Sequence, residues 1–206
     1  YNLLIMKEKQ SLFDITTAIL NKIQPILKET APDVVLVHGD TSTTFATALA
    51  CFYLSIPVGH VEAGLRTYDI KSPYPEEFNR QAVDLITEFY FAPTKQAEQN
   101  LLKEHKTKEK IYVTGNTVID ALSFTVKPNY RNEHLDWCRN SRLILLTAHR
   151  RENLGEPMRH MFRAIRRIVT EHPDVKVIYP VHKNPKVQKI AKEILADSDR
   201  IRLIEP

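Results

Sequence analysis

At 206 residues the chain has room for one large domain or two small ones, and 43% hydrophobic with 26% charged residues is the balance of an ordinary globular protein. No apolar run approaches the ~18 residues of a membrane span, and the opening YNLLIMKEKQ lacks the basic start and long apolar stretch of a secretory signal. The net charge of +4 comes from 29 basic and 25 acidic residues with the two signs interspersed, which excludes a nucleic-acid footprint and leaves a mild attraction for small anions.

The first element in chain order is a helix over Ser11 to Glu29, where Leu12, Ile15, Ile19, Ile23 and Ile26 recur at spacings of three and four, and Ser11 with Asp14 has the form of a capping box. Asp33 to Val37 is a short β-branched run of the kind expected of a buried parallel strand. A helix over Phe45 to Leu54 follows it. Further strands are predicted at Pro57 to Val61, Phe89 to Ala92, Lys110 to Val113, Leu143 to Thr147, Val175 to Tyr179 and Ile201 to Ile204. Between them, Pro73-Tyr74-Pro75-Glu76 opens a helix with Pro75 in its first turn. Pro157 to Val169 repeats an apolar stripe flanked by Arg159, Arg163, Arg166 and Arg167, which form a solvated face. Lys127 to Ser141 has no clean period and is the expected join between two α/β units, 1–126 and 127–206. Alternating strands and helices imply parallel sheets with helices on both faces. The chain starts at Tyr1 without Met and stops after an apolar run, so both ends are expected to be cut.

In parallel sheets ligands bind at the carboxyl ends of strands. Those ends here read His38-Gly39-Asp40, His60-Val61-Glu62-Ala63-Gly64-Leu65-Arg66, Thr114-Gly115-Asn116, His149-Arg150-Arg151-Glu152-Asn153 and His182-Lys183-Asn184. Apolar strands that run out into His, Asp, Glu and Arg need partners for that charge, and the set implies a polar cleft for an anionic ligand. Each residue also has a plainer reading. Asp40 has the position of a helix cap, Glu62 has Arg66 as an ion-pair partner, and Glu76 has Arg80 at i+4. Glu77 is better read as complementing a helix dipole. No HExxH, CxxC, GxSxG, GxGxxG or GxxxxGK[ST] pattern occurs, so no metal or dinucleotide is expected, and Cys51 and Cys138 read as reduced thiols.

The segment VLVHGDTSTTFATALACFYLSIPVGHVEAGLRT (Val35 to Thr67) resembles the non-hydrolysing UDP-N-acetylglucosamine 2-epimerases of bacteria. So do SPYPEEFNRQ (Ser72 to Gln81), TGNTVIDAL (Thr114 to Leu122), LLTAHRRENLGEPM (Leu145 to Met158) and YPVHKNP (Tyr179 to Pro185). The resemblance implies an α/β, glycosyltransferase-B-like fold of two Rossmann-like domains with parallel sheets. The first would lack its opening strand and GTRPE-like loop, and the second would be incomplete. It implies interconversion of UDP-N-acetylglucosamine and UDP-N-acetylmannosamine for cell-surface polysaccharide, with 2-acetamidoglucal as intermediate and no cofactor. Asp40, Glu62, Glu76 and His149 match catalytic positions. His38, Arg66, Arg80, Asn116, Arg150, Glu152 and Asn153 are assigned to substrate. Lys9, Gln10, Arg150 and His182 are assigned to a second UDP-N-acetylglucosamine that acts as activator, although Lys9 stands where Arg is expected and lacks its fork. A cytoplasmic homodimer is implied, and the isolated segment is expected to be inactive. A hydrolysing epimerase, a glycosyltransferase and a non-catalytic nucleotide-sugar binder are the competing readings.

Overall fold

The computed structural model describes residues 1–7, 10–150 and 153–206, which form two compact units, Tyr1–Val126 and Lys127–Pro206. The first unit begins with α1 (Leu12–Thr30). Its capping box is formed, with the Ser11 hydroxyl accepting from the Asp14 N–H and the Asp14 carboxylate accepting from the Ser11 N–H. Ala31 then closes the helix in the left-handed region. The strands β1 (Val35–His38), β2 (Val58–Val61), β3 (Phe89–Ala92) and β4 (Ile111–Val113) lie side by side in that order, all parallel. They alternate with α2 (Ser42–Tyr53), α3 (Glu76–Ile86), α4 (Lys95–Lys103) and α5 (Thr117–Thr125).

Register partners in a sheet point to the same side, so Val37, His60, Tyr90 and Ile111 form one row. That face carries the core. Leu27, Val37, Ala48, Cys51, Val58 and Val83 pack under α1 to α3, and Ala63, Tyr90, Ala92, Ala97, Leu101 and Ile111 pack under α4. A fully buried aliphatic side chain contributes about 1.5–3 kcal/mol. The opposite face holds Leu36, Gly59, Phe91 and Tyr112, with Leu36 63% exposed and Tyr112 47%. The expectation of helices on both faces is thus met on one face only among the described residues of this unit, because α1 to α4 all pack on the Val37 side.

The second unit has α6 (Glu133–Trp137), β5 (Arg142–Leu145), α7 (Glu156–Glu171), β6 (Val175–Pro180), α8 (Pro185–Leu195) and β7 (Ile201–Ile204). Its three strands are parallel with β6 central. Met158, Phe162 and Val169 of α7 and Val187, Ile190 and Leu195 of α8 bury against Val175, Val177 and Tyr179. Arg159 and Arg166 are not purely solvated. Arg159 pairs with Glu193 of α8 at 2.5 Å, and Arg166 reaches the carbonyls of Ile194 and Asp197. Trp137, in the stretch that lacked a period, meets both Lys176 and Arg202, each 4.5 Å from its ring centre. No described helix is long and apolar enough to cross a membrane.

Candidate active site

Because β1 and β2 are neighbours and parallel, their carboxyl ends open at one edge of the first unit. β1 ends at His38, and Gly39 turns the chain at φ 73°, where a residue without Cβ is unstrained. Thr41, not Asp40, caps α2 by accepting from the Thr44 N–H at 3.3 Å. Asp40 is held from α3 instead. Arg80 Nε donates to Asp40 Oδ2 at 2.9 Å with Nη2 2.7 Å from the same oxygen, and Asn79 Nδ2 donates to the Asp40 carbonyl at 2.8 Å.

Glu62 follows β2 with φ 72°, a left-handed backbone that a residue with a side chain adopts at a cost of about 1–3 kcal/mol. Its N–H and that of Ala63 both donate to the Phe91 carbonyl, at 3.0 and 3.2 Å. The Glu62 carboxylate lies 3.4 Å from His38 Nε2, and Thr117 Oγ1 at the start of α5 lies 3.5 Å from the same nitrogen. Asn116 caps α5 by accepting from the Val118 N–H at 2.9 Å. The side chains of Asp40 and Glu62 remain 27% and 22% exposed, so each carboxylate is anchored yet open to a ligand. Glu76 is half-buried at the first position of α3. Arg80, the ion-pair partner the sequence offered it, is engaged by Asp40 and Glu77.

Two expectations need correction. Glu77, in the first turn of α3, does more than complement the helix dipole: it is fully buried, accepting from the Tyr68 N–H at 3.0 Å, Gln81 Nε2 at 2.9 Å and Arg80 Nη1 at 3.2 Å. Burial pushes its carboxyl up, but these bonds and the Thr67 N–H outweigh it and hold the group below the usual carboxylate range. Arg66, expected at the substrate, has a side chain with no solvent exposure. It donates to Asp84 at 2.7 Å and to both oxygens of Glu104 at 2.7 Å, so its fork is already filled.

Sequence reasoning passed over Asp84. Its carboxylate accepts from His60 Nδ1 at 2.6 Å, Arg66 Nη2 at 2.7 Å and the Gly64 N–H at 3.1 Å, with no exposure of its own. Burial raises the Asp84 carboxyl, and the bonds and charges of His60 and Arg66 more than reverse that. A signal was present: Glu77, Arg80 and Asp84 fall at i, i+3 and i+7 of one helix, the spacing of a core stripe occupied by polar residues.

In the second unit, the loops after β5 and β6 bring His149 and His182 together, with ring centres 5.1 Å apart and planes 11° from parallel. Both rings are exposed. The Asn184 N–H donates to His182 Nδ1 at 3.0 Å, and the Tyr179 hydroxyl donates to the Ala148 carbonyl at 2.6 Å, just before His149. Arg150 and Asn153 are exposed in the same loop, joined by the Asn153 N–H to the Arg150 carbonyl at 3.1 Å. Lys9 and Glu152 lie outside the described residues. Gln10 donates from its amide to the Ile5 carbonyl at 2.8 Å and accepts from the Lys7 N–H at 2.7 Å. It lines a cavity of about 570 Å³ against α1, with Leu4, Phe13 and Lys22, whose lining includes neither Asp40 nor Glu62. Among the described residues no group of three or more His, Cys, Asp or Glu is arranged to hold a metal ion.

The family model described as UDP-N-acetylglucosamine 2-epimerase matches residues 1–206. A Bacillus subtilis UDP-N-acetylglucosamine 2-epimerase is 57% identical over the whole chain, which covers 54% of that protein. Among solved structures, a putative UDP-N-acetylglucosamine 2-epimerase from Listeria monocytogenes is 51% identical with TM-score 0.95, over 98% of this chain and 53% of its own. The Neisseria meningitidis UDP-GlcNAc 2-epimerase, solved bound to UDP-GlcNAc, is 44% identical with TM-score 0.93, over 100% of this chain and 58% of its own. This chain thus spans just over half the length of the relatives it matches. With a parallel-sheet fold shared over its full extent, the chain belongs to the UDP-N-acetylglucosamine 2-epimerase family.

Proposed function

We propose that the full-length protein containing these residues interconverts UDP-N-acetylglucosamine and UDP-N-acetylmannosamine without net hydrolysis. The observation that carries this reading is the pair Asp40 and Glu62, two anchored but accessible carboxylates at adjacent strand ends, beside His38 and Arg80.

The C2 hydrogen of the sugar is not next to a ketone, so enolisation cannot remove it. Elimination can. A carboxylate takes the C2 proton, the electron pair forms the C1–C2 double bond, and the C1–O bond breaks to release UDP. The glucal is then protonated at C2 from the opposite face while a UDP oxygen attacks C1. This chemistry needs a base on one face, an acid on the other, and cations for the departing diphosphate. Glu62 and Glu76 are assigned to proton transfer at C2 and Asp40 to assisting it. His149 with Arg150 and Asn153 is assigned to the diphosphate. The nucleotide-sugar complex of the Neisseria meningitidis relative supports the substrate class.

The same reading assigns Arg150 and His182 of the second unit to a second UDP-N-acetylglucosamine, as activator. The stacking of His182 on His149 supports a wall shared between activator and diphosphate. A cytoplasmic homodimer that supplies cell-surface polysaccharide completes the proposal.

The test is incubation of the full-length protein with UDP-N-acetylglucosamine in heavy water. Deuterium at C2 together with UDP-linked N-acetylmannosamine is expected. Free N-acetylmannosamine as the sugar product would establish the hydrolysing reaction instead, and absence of C2 exchange would leave binding only.

A further inference from the structure

Among the ionisable side chains buried in the first unit, three form a connected group that a ligand cannot meet. The side chains of His60, Asp84 and Arg66 have no solvent exposure, yet together they join the two loops that present the carboxylates. His60 Nε2 lies 2.8 Å from the Gly39 carbonyl, one residue before Asp40. His60 Nδ1 lies 2.6 Å from Asp84 Oδ1. Asp84 Oδ2 accepts from the Gly64 N–H at 3.1 Å, two residues after Glu62. Arg66 Nη2 donates to that same oxygen at 2.7 Å and is itself braced by Glu104. The far side of the second loop is tied as well, since Asn100 Nδ2 donates to the Gly64 carbonyl at 2.9 Å. The Tyr90 hydroxyl fixes α3 beneath by donating to the Asp84 carbonyl at 3.1 Å.

Stability alone is a poor account of this arrangement. Burying charges costs several kcal/mol per ion, and apolar side chains of similar volume often stabilise a fold as well or better. What apolar side chains cannot do is set the distance between two loops by directed bonds. Glu62 adds a requirement, because a left-handed φ of 72° persists only where the surroundings over-determine it. Both ring nitrogens of His60 face acceptors, so the ring makes both bonds only with a proton on each nitrogen.

We infer that His60, Asp84 and Arg66 are positioning residues that clasp the Asp40 loop to the Glu62 loop and fix the separation of the two carboxylates. This rests on the epimerase reading above, in which those carboxylates meet the reacting sugar. Misplacing a catalytic group by about 1 Å lowers turnover on the order of 100-fold. The clasp does not touch the ligand, so its loss acts on turnover rather than on affinity.

The test uses Asp84→Asn in the full-length protein, with Ile19→Ala, a buried residue of α1 that takes no part in the clasp, as a control. The expected result is a fall in kcat of roughly 10- to 100-fold with KM within about threefold for Asp84→Asn. Ile19→Ala should lose thermal stability and keep its kcat. Equal falls in kcat for both variants, or unchanged kcat in a folded Asp84→Asn, would overturn the inference. Ring ¹⁵N shifts of His60 in the full-length protein give an independent readout. Protonation at both nitrogens is expected, and a bare nitrogen facing the Gly39 carbonyl would break the clasp. Absence of C2 exchange in the unmutated protein sinks the epimerase reading alone, and the ¹⁵N measurement still decides whether the clasp exists.

Discussion

Arg80 donates from Nε to one oxygen of Asp40, with Nη2 2.7 Å from the same oxygen, and its remaining nitrogen, Nη1, donates to buried Glu77 at 3.2 Å. One guanidinium thus aligns a partly open carboxylate against a closed one. Lysine keeps the charge but not the planar fork. Arg80→Lys is expected to lower kcat/KM by about tenfold with little change in melting temperature, and steady-state kinetics with a thermal melt on the full-length protein would check both.

Glu77→Gln removes the charge that accepts from Tyr68, Gln81 and Arg80 inside the first unit. Breaking such charge-assisted bonds at a buried site is expected to cost about 1–3 kcal/mol. The pH dependence has a definite sign. Glu77 and Asp84 both have folded-state values held below the ordinary carboxylate range. Their contribution is therefore present above about pH 4, where the unfolded groups are ionised, and is lost as pH falls through the lower folded values. Urea midpoints measured from pH 6 to pH 3 should fall steadily for the wild type and less steeply for Glu77→Gln.

Two glycines of the same strand-to-loop segment should respond differently to alanine. A Cβ on Gly64 would sit 2.3 Å from the Ala97 carbonyl oxygen, and the residue has φ 82°. A Cβ on Gly59 would meet the far end of the exposed Leu36 side chain at 2.6 Å, with Phe91 at 3.1 Å. The first obstacle is backbone and the second mostly a flexible tip. Gly64→Ala is expected to destabilise by more than about 3 kcal/mol and Gly59→Ala by about 1 kcal/mol. Denaturant titration of the two variants would rank them, and the reverse order would contradict the close approach of the loop after β2 to α4.

At high pH the sign runs the other way. Burial pushes the Cys51 thiol up to about 11 and, with help from nearby acidic groups, the Tyr90 hydroxyl up to about 12. Groups raised in this way contribute fully below their unfolded values and lose that contribution as pH rises through the folded ones. Stability is expected to decline from about pH 9 upward, and Cys51→Ala should soften the early part of that decline in pH-dependent melts.

The strands were legible because β-branched runs bounded by polar residues have few other uses, and Phe89 to Ala92 and Ile201 to Ile204 agree to the residue. The α1 capping box was legible because its partners are three residues apart. Arg66 and Glu77 were misread for the opposite reason. Arg66 finds its partners 18 and 38 residues away, and Glu77 finds its Tyr68 partner nine residues back across a loop, so neither pairing has a local signature. The Asp40–Arg80 link spans 40 residues and could be suspected only from family resemblance. Parallel strands follow from the alternation of elements, but their order and which sheet face is covered depend on packing that no short window of sequence reports.

The backbone at Glu62 sets heat resistance against chemistry. Glycine would occupy its left-handed seat without strain and recover about 1 kcal/mol or more, at the loss of the carboxylate. A library selected for thermal survival alone should therefore enrich glycine at this one position of β2's outgoing turn. A library selected for turnover should refuse it, and the disagreement between the two outcomes would locate, without any bound ligand, where this fold trades resilience for reactivity.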